Sequence, residues 1–456
     1  MLRTIFFKEI DNSPLIVFRW MFGLLIFLES AGAIATGWVR ENMVEPSFSF
    51  TFIGFEFFNE VLLGPQMYAF YALMSVFGIM VMVGYRYRLA MVCFSIMWTI
   101  TYLMQKTSYN NHYYLLVLLS WWMCLLPANR YASLDVKQGR VKPEFNMHSW
   151  HRWSLVALMA IAYIYGSIAK IYPDWLEATF IRRAFTHRYQ TPWIADIFNA
   201  NWFHYFISYT GILFDLLIVP ALLWRRTRWI AVVASFFFHI FNSAVFHIGI
   251  FPYLSLAFLV FFFPSTSIRA FWLSSKPLRL NQTVRYPKYA GRIVVGVVFF
   301  LMINIALPLR HHWIDSNVFW TEEGHRMSWR MMLRSKSGYI SYTVKNAENG
   351  DYIPVKLNDY LTEKQIRTLP THPDMIWQFA QHLKRKFQEE DLAVEIYANA
   401  HVGLNGRAYS AFTDPSIDLA AEPWDHFRAK RWLTNFEFEK SVGEVLKEKL
   451  FSKEGK

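Results

Sequence analysis

The chain has 456 residues, of which 54% are hydrophobic and 19% aromatic, and it carries a formal net charge of +12. Its two cysteines, Cys93 and Cys124, both fall in apolar stretches, which excludes a disulfide scaffold and a thiolate metal site. A positive charge can indicate a nucleic-acid partner, but here the basic residues are distributed by membrane topology, and we exclude that class.

Apolar residues crowd into positions 15–310, whereas charged residues crowd into positions 311–456. Several apolar windows approach the roughly 20 residues that cross a bilayer. The pattern therefore predicts a polytopic α-helical membrane protein with about nine spans (residues 1–310) and a C-terminal α+β extramembrane domain (residues 311–456). The predicted spans are 15–37, 67–84, 89–104, 113–127, 154–170, 204–223, 229–246, 249–264 and 292–309.

The basic residues orient these spans. With a cytoplasmic N-terminus, the inner connections carry clusters such as Arg225, Arg226 and Arg228, and the outer loops carry far fewer. An odd number of spans then places residues 311–456 outside the cytoplasm, in a periplasm or lumen. The sequon Asn281-Gln282-Thr283 falls in a predicted cytoplasmic loop, which favours a bacterial inner membrane over an ER membrane.

The C-terminal region has its own signals. Strands are predicted at 338–344, 352–355 and 393–402, with a short return strand at 407–412 and a final helix at 436–450. Asn349-Gly350 and Asn405-Gly406 are typical hairpin turns. Residues 362–390 are predicted to be helical, with a break at Pro370 and Pro373, because proline disrupts the helical hydrogen-bond ladder.

Two polar motifs lie at predicted span ends. Asn111 and His112, within the stretch 106–115, offer hydrogen-bonding groups at a membrane boundary; the plainer interpretation is a helix cap by Ser108 or Asn110. Lys170 ends an apolar span and precedes Pro173. It either extends to the interface or is desolvated, and burial disfavours the charged form of a lysine so that it can act as a base.

Other ionisable groups lie within or after the spans. His239 and Asn242 are three residues apart and share a helix face, as a polar contact between helices or as part of a site; a metal site is not expected there. Arg19 is expected to extend to the cytoplasmic interface, and Glu29 and Asp215 are expected to be packed polar contacts.

Three cations lie in the polar region, Arg334, Lys336 and Arg407. They are either solvated surface charges or partners for a carboxylate, to which an arginine presents a planar fork of donors.

Together these motifs resemble the vitamin K-dependent γ-glutamyl carboxylase family, whose membrane part is also called the HTTM domain. The likeness covers most of the chain, and its motifs occur in the family's order. They are Phe18-Arg19 through Gly23, 106–112, 128–131 with Asp135, Lys170 to Trp175, Phe238-His239 with Asn242-Ser243, Ile248-Gly249, Ser328-Trp329 with Met331-Met332, and Asn405-Gly406-Arg407 to Asp414-Pro415.

The resemblance implies a peptidyl-glutamate 4-carboxylase, a carbon–carbon lyase that uses vitamin K hydroquinone or a related menaquinol, O2 and CO2, and no metal. Lys170 matches the lysine that deprotonates the hydroquinone. Oxygenation then yields a strong base that removes a γ-proton from glutamate, and the carbanion captures CO2. His112 matches the histidine near the reacting centre, and Asn111 and Asn242 would orient neighbours.

The implied partners are a glutamate-containing protein or peptide, a lipid quinol and the membrane. Arg407 matches a family arginine, and Arg334 and Lys336 stand where the animal enzymes carry histidine and arginine. These three, with His239 and Asn242, are the expected substrate-binding residues.

Three other functions are compatible with the sequence. One is a quinol epoxidase without a peptide substrate, and another is a membrane chaperone resembling lipase maturation factors. The third is a transporter, which would be favoured by a pseudo-symmetric repeat that the sequence does not display. Lys170 together with His112 favours chemistry over chaperoning.

Overall fold

The structure is a computed structural model that describes residues 6–186, 192–246, 248–278 and 286–435. The chain forms two compact units. The first comprises Met1–Ala162 with Leu217–Ala306, and the second comprises Tyr163–Leu216 with Leu307–Lys456. The chain therefore passes between the units three times, and one of these passages, between residues 306 and 307, lies close to the predicted domain boundary at residue 310. The division into a catalytic and a substrate-binding domain stays a prediction.

The first unit is almost entirely helical. Its elements are β1 (Glu9–Asp11), α1 (Ser13–Ala35), α2 (Phe57–Leu62), α3 (Gln66–Val83), α4 (Tyr87–Met104), α5 (Asn111–Leu125), α6 (Leu134–Lys137), β2 (Asn146–His148) and most of α7 (Ser149–Ile168). It continues with the end of α11 (Asn201–Leu223), then α12 (Arg228–Phe246), α13 (Phe251–Phe258), α14 (Ser265–Trp272) and most of α15 (Ala290–Leu309). The two short strands pair antiparallel, with Ile10 opposite Met147.

Helices α1 and α3 pack backbone against backbone through two glycines. A Cβ on Gly23 would lie 2.3 Å from the backbone nitrogen of Met82, and one on Gly78 would lie 2.7 Å from that of Phe27. Any side chain at either position would force the helices apart. Small residues allow this close approach, which is the usual way that apolar helices associate in lipid.

Arg19 does not extend to the interface, contrary to the prediction from sequence. It is fully buried and donates hydrogen bonds to the carbonyl oxygens of Ala128, Tyr131 and Ala132 at 2.9, 3.2 and 2.5 Å. These carbonyls belong to a turn without regular backbone partners, so the guanidinium satisfies groups that would otherwise be buried unpaired. The motifs at 18–19 and 128–131 are thus parts of one structural contact.

Six of the nine predicted spans coincide with helices that, among the described residues, are long and apolar enough to cross a membrane. The other three are not confirmed. Helix α5 has only 15 residues, and α7 carries His151 and Arg152 in its first turn. The predicted span 249–264 contains the helical segment Phe251–Phe261, and the chain bends by 110° between this segment and Ser265–Trp272.

The second unit combines helices with a sheet. Its elements are the end of α7, α8 (Pro173–Leu176), α9 (Thr179–Phe185), α10 (Pro192–Asn199), most of α11, α16 (Val318–Thr321), β3 (Lys336–Asn346), β4 (Tyr352–Pro354), α17 (Glu363–Thr368), α18 (Pro373–Glu389), β5 (Val394–Leu404) and β6 (Ser410–Ala411). The sheet is antiparallel in the order β4-β3-β5-β6, and Lys336 pairs with Leu404 at one end and Asn346 with Val394 at the other.

The α+β prediction for the C-terminal region is confirmed. A short 3-10 turn separates α17 from α18 at Pro370, as the proline pair predicts. The turn after β5 has positive φ at Asn405 and Gly406, 50° and 86°, which is the geometry that an Asn-Gly hairpin requires. The return strand β6 is shorter than predicted, and the predicted helix 436–450 lies outside the described residues.

Candidate active site

Lys170 lies in the turn that connects α7 to α8. Helix α7 ends at Ile168, the backbone N–H of Lys170 still donates to the carbonyl of Ser167 at 3.0 Å, and Pro173 then begins α8. The lysine is buried, with 7% of its surface exposed, so it does not extend to an interface. Of the two interpretations that the sequence left open, burial supports the desolvated lysine.

Three groups surround the Lys170 ammonium. Its Nζ donates to Oδ2 of Asp215 at 2.5 Å and to the carbonyl oxygen of Gly166 at 3.0 Å. It also lies 5.5 Å from the centre of the Trp175 ring. A carboxylate, a carbonyl dipole and an aromatic face all favour a positive charge at this point.

Asp215 faces Lys170 because one side of α11 is tied to the Lys170 segment. Residues 208, 211, 212 and 215 follow the i, i+3, i+4, i+7 spacing of a single helix face. Trp175 donates from Nε1 to the carbonyl of Ser208 at 3.0 Å, and the Ser167 hydroxyl donates to the carbonyl of Ile212 at 3.0 Å. These two bonds fix the helix so that the Asp215 carboxylate meets the ammonium.

A cleft of about 820 Å³ opens beside this segment. Pockets of this size hold drug-sized ligands. Residues on both sides of Lys170 line the cleft, together with residues 308–330 from the start of the polar region. One wall is a stack of three planar groups, in which Phe319 lies 4.1 Å from the ring of Tyr172 and 4.3 Å from the guanidinium carbon of Arg330.

The charged side chains that line the cleft are Arg330 and Asp315. His311 and His312 also line it, and each ring can donate a hydrogen bond. Arg330 is buried, and this burial lowers the pKa of its guanidinium to about 10, which leaves it charged at neutral pH. Arg330 can therefore pair with a carboxylate in the cleft.

Arg407 forms a bidentate ion pair with Asp174, four residues after Lys170. Its Nη1 and Nη2 each donate to one carboxylate oxygen at 2.7 Å. Asn405 donates to the same carboxylate at 2.6 Å. The hairpin turn of the sheet is thereby joined to the helix that follows the lysine, and Arg183 packs over Gly406 of that turn.

Arg334 and Lys336 converge on one internal glutamate. Nε of Arg334 donates to Oε1 of Glu322 at 2.6 Å, a second Arg334 nitrogen contacts Oε2, and Nζ of Lys336 lies 3.2 Å from Oε1. Burial lowers the pKa of Arg334 to about 10, and burial followed by the Arg334 charge lowers the pKa of Lys336 well below its ordinary value. Both Arg334 and Lys336 are therefore bound to the Glu322 carboxylate in this structure.

The first unit contains the other predicted residues. Asn110 caps α5 by accepting the backbone N–H of Tyr113 at 2.7 Å, as the plainer interpretation of the motif expects. Asn111 is buried and accepts the Tyr109 hydroxyl at 3.1 Å. His112 lies against Gly249, where an added Cβ would be 3.4 Å from Nε2.

His239 and Asn242 lie on α12, on a shared face as predicted. His239 is 1% exposed and makes an edge-on ring contact with Phe251 at 5.8 Å. Asn242 is half-buried. Next to it, the Ser243 hydroxyl lies 3.0 Å from that of Tyr253.

The predicted residues therefore fall into two groups, one in each unit. Lys170, Arg334, Lys336 and Arg407 belong to the second unit, and His112, Asn111, His239 and Asn242 belong to the first.

Three carboxylates that hold the second group were not expected to be part of a site: Asp215, Asp174 and Glu322. Glu322 had no signal in the sequence, Asp174 falls within the motif Lys170 to Trp175, and Asp215 lies inside a predicted span. A carboxylate inside an apolar span is costly unless it has a partner.

Two family models match the chain. A model described as the HTTM domain matches residues 7–266, which is 260 of the 456 residues. A model described as the vitamin K-dependent gamma-carboxylase lumenal domain matches residues 290–439. No solved structure matches this chain.

Proposed function

We infer the chemistry of the site from its family: the chain belongs to the vitamin K-dependent γ-glutamyl carboxylases and is a peptidyl-glutamate 4-carboxylase. The first match covers more than half of the chain, and the second covers the polar region that follows it. The observation that carries the assignment of residues is the buried Lys170 beside an open cleft.

The surroundings of Lys170 fit a lipid-borne quinol. Ile168 and Ile171 lie close to the lysine in the chain, line the cleft and are 52% and 61% exposed, so an apolar surface of the cleft borders the segment that holds Lys170. The family cofactor, vitamin K hydroquinone, supplies with O2 the strong base that removes a γ-proton from glutamate. We propose that this chain uses it, or a related menaquinol.

Lys170 is the proposed general base. Its Nζ takes a proton from a quinol hydroxyl, and its burial excludes the water that would otherwise compete for strong bases in the site. Asp174, held by Arg407 and Asn405, fixes the turn that presents the lysine. Arg407 thus acts on this segment while one third of its side chain stays accessible to substrate.

The proposed glutamate site lies along the wall of the cleft that carries Arg330. Arg330 offers a planar fork of donors to a carboxylate, and His311 and His312 add polar donors nearby. Arg334 and Lys336 remain proposed substrate-binding residues, and they already hold one carboxylate, that of Glu322. The contacts with Glu322 support this role, because a glutamate side chain fits between the two cations.

We assign supporting roles to the residues of the first unit. His112 stabilises or orients charged oxygen, and Asn111 holds its neighbours in place through Tyr109. His239 and Asn242 are proposed substrate-binding residues on one face of α12. Each is tested by its own alanine variant in the assay described below.

The protein is a membrane protein with six helices apolar enough to span among the described residues. We propose nine spans in all, with α5, α7 and the bent α13–α14 segment completing the set. This arrangement puts residues 311–456 outside the cytoplasm as a substrate-binding domain and residues 1–310 in the membrane as the catalytic domain. We propose a bacterial inner membrane, or an ER membrane in a eukaryote.

The test uses the full chain purified in detergent with reduced vitamin K, labelled bicarbonate and a glutamate-containing peptide. We expect label in the peptide and vitamin K epoxide in comparable amounts. A control peptide with glutamine in place of glutamate should take up no label. Epoxide without label on any glutamate peptide would indicate a quinol epoxidase, and neither product from folded protein would indicate a chaperone and overturn the proposal.

A further inference from the structure

The ion pair of Lys170 and Asp215 presents a chemical problem for a base. A lysine that accepts a proton must have a lone pair, but the carboxylate at 2.5 Å, the carbonyl at 3.0 Å and the Trp175 ring all stabilise the protonated ammonium. As an ammonium, Lys170 has nothing with which to take the quinol proton. The site therefore needs an acceptor for a proton that Lys170 gives up.

We propose that Asp215 is this acceptor, and that Lys170 and Asp215 together form the base. The inference rests on the proposed role of Lys170. Nζ of Lys170 passes one proton to Oδ2 of Asp215 and takes one from a quinol hydroxyl. One N–H bond breaks as the carboxyl O–H forms, and a second N–H forms as the quinol O–H breaks, with its electron pair left on the quinol oxygen.

The charges in this exchange balance. The pair is neutral as ammonium and carboxylate, and equally neutral as amine and carboxylic acid, so moving the proton between them adds no net charge to a buried site. After the quinol proton arrives, the pair holds an ammonium and a neutral acid. Its single positive charge then lies next to the new anionic oxygen and stabilises it.

A second pair in the same chain distinguishes a proton acceptor from a simple structural contact. Lys276 and Asp11 are also 2.5 Å apart, but both side chains are 0% exposed, and Nζ is additionally bound by Ser13 at 3.2 Å and the carbonyl of Phe145 at 3.0 Å. In contrast, Lys170 and Asp215 keep 9% and 8% of their side-chain surface accessible. Of these two pairs, Lys170–Asp215 is therefore the one that can exchange a proton with a ligand.

Asp215 is a positioning residue that acts through Lys170, so the test needs a signal that a structural role would not produce. We would add reduced vitamin K to the purified full chain without O2 or bicarbonate, and record the infrared difference spectrum. In the wild type, a protonated-carboxyl band should appear when the quinol binds. The band should be absent from Asp215→Asn, shifted in Asp215→Glu, and unchanged in Asp11→Asn, the matched control.

The rates provide the second readout. Asp215→Asn should lower the rate of epoxide formation per folded molecule by about 100-fold or more, the usual range for a proton-transfer group. Asp215→Glu, which restores a carboxylate, should recover most of that loss. Asp11→Asn should lower the unfolding temperature but not the rate per folded molecule.

Two results separate the failure of this inference from failure of the proposed function. A wild-type band that persists in Asp215→Asn, with a near-normal rate, overturns the Asp215 role while Lys170 remains the base. A folded wild-type protein that forms neither vitamin K epoxide nor labelled peptide overturns the proposed function itself. If Asp215→Asn does not fold, the band in Asp215→Glu decides: an unshifted band contradicts the inference.

Discussion

Arg407 donates to both carboxylate oxygens of Asp174 at 2.7 Å, so the hairpin turn after β5 is bonded to the helix that begins three residues after Lys170. The two residues are 233 positions apart in the chain. Asp174 is 3% exposed at its side chain, whereas Arg407 is 37% exposed. Asp174 therefore depends on Arg407 to balance its charge, because its carboxylate is shielded from water.

Arg407→Ala tests this dependence. Removal of the guanidinium leaves the buried Asp174 carboxylate with Asn405 as its donor. We expect the free energy of unfolding to fall by about 2 kcal/mol. This is less than the loss expected for a fully buried ion pair, because Arg407 is partly solvated. Thermal unfolding of the full chain in detergent measures it. The double variant with Asp174→Ala should be more stable than the sum of the single variants implies, and strict additivity would contradict the account.

Glu322→Gln tests whether Arg334 and Lys336 can hold a substrate carboxylate. The variant leaves two buried cations without their anion, so its unfolding temperature should fall by several degrees. A glutamate peptide at saturating concentration should restore part of this loss, and the matched glutamine peptide should not. Equal effects of the two peptides would show that the two cations serve only the fold.

Arg330→Gln tests whether Arg330 binds the substrate carboxylate in the cleft. The loss of one charge-assisted hydrogen bond to a carboxylate should raise the KM for the glutamate peptide by about tenfold. The kcat should change little, because Arg330 contacts neither Lys170 nor Asp215 in the proposal. An unchanged KM would place the glutamate elsewhere.

His372 gives the polar region a dependence on pH. Its Nδ1 donates to the carbonyl of Thr368 at 3.0 Å, and burial, followed by the charge of Arg326, lowers the pKa of the ring from 6.5 to about 3. Between pH 6.5 and pH 3, His372 is therefore protonated in the unfolded chain but neutral in the folded chain. The free energy of unfolding falls as the pH drops below 6.5, and this loss levels off near pH 3. His372→Gln should reduce this slope between pH 7.5 and pH 5 in thermal unfolding by the share of one proton, and His325 and His382, whose pKa values burial also lowers, should maintain the rest. A slope identical to the wild type would contradict the prediction.

Local signals predicted much of the fold. The Asn405-Gly406 turn and the break at Pro370 depend on the conformations that single residues allow, and both are found where the sequence indicates. Span ends were less certain, since the sequence does not reveal that residues 251–272 bend by 110°. A run of apolar residues indicates that a segment can lie in the membrane, but it does not indicate whether the helix continues straight or bends.

The partners of the candidate residues could not be predicted. Lys170 and Asp215 are 45 positions apart, and their contact depends on the bonds of Ser167 and Trp175 to α11. The prediction that Arg19 extends to the interface is wrong for a similar reason, because the carbonyls that accept its hydrogen bonds lie more than 100 positions away. The sequence alone identifies the charged residues within predicted membrane spans, but it does not identify the groups that form ion pairs or hydrogen bonds with them.

The most direct test of the account is Lys170→Ala in the full chain, assayed for vitamin K epoxide and for labelled γ-carboxyglutamate in the same reaction. Thermal unfolding of the variant confirms that the protein is folded. We expect both products to fall together by at least about 100-fold, because one base starts both reactions. If a folded Lys170→Ala protein makes epoxide and labelled peptide at rates near the wild type, Lys170 is not the base and the account is wrong.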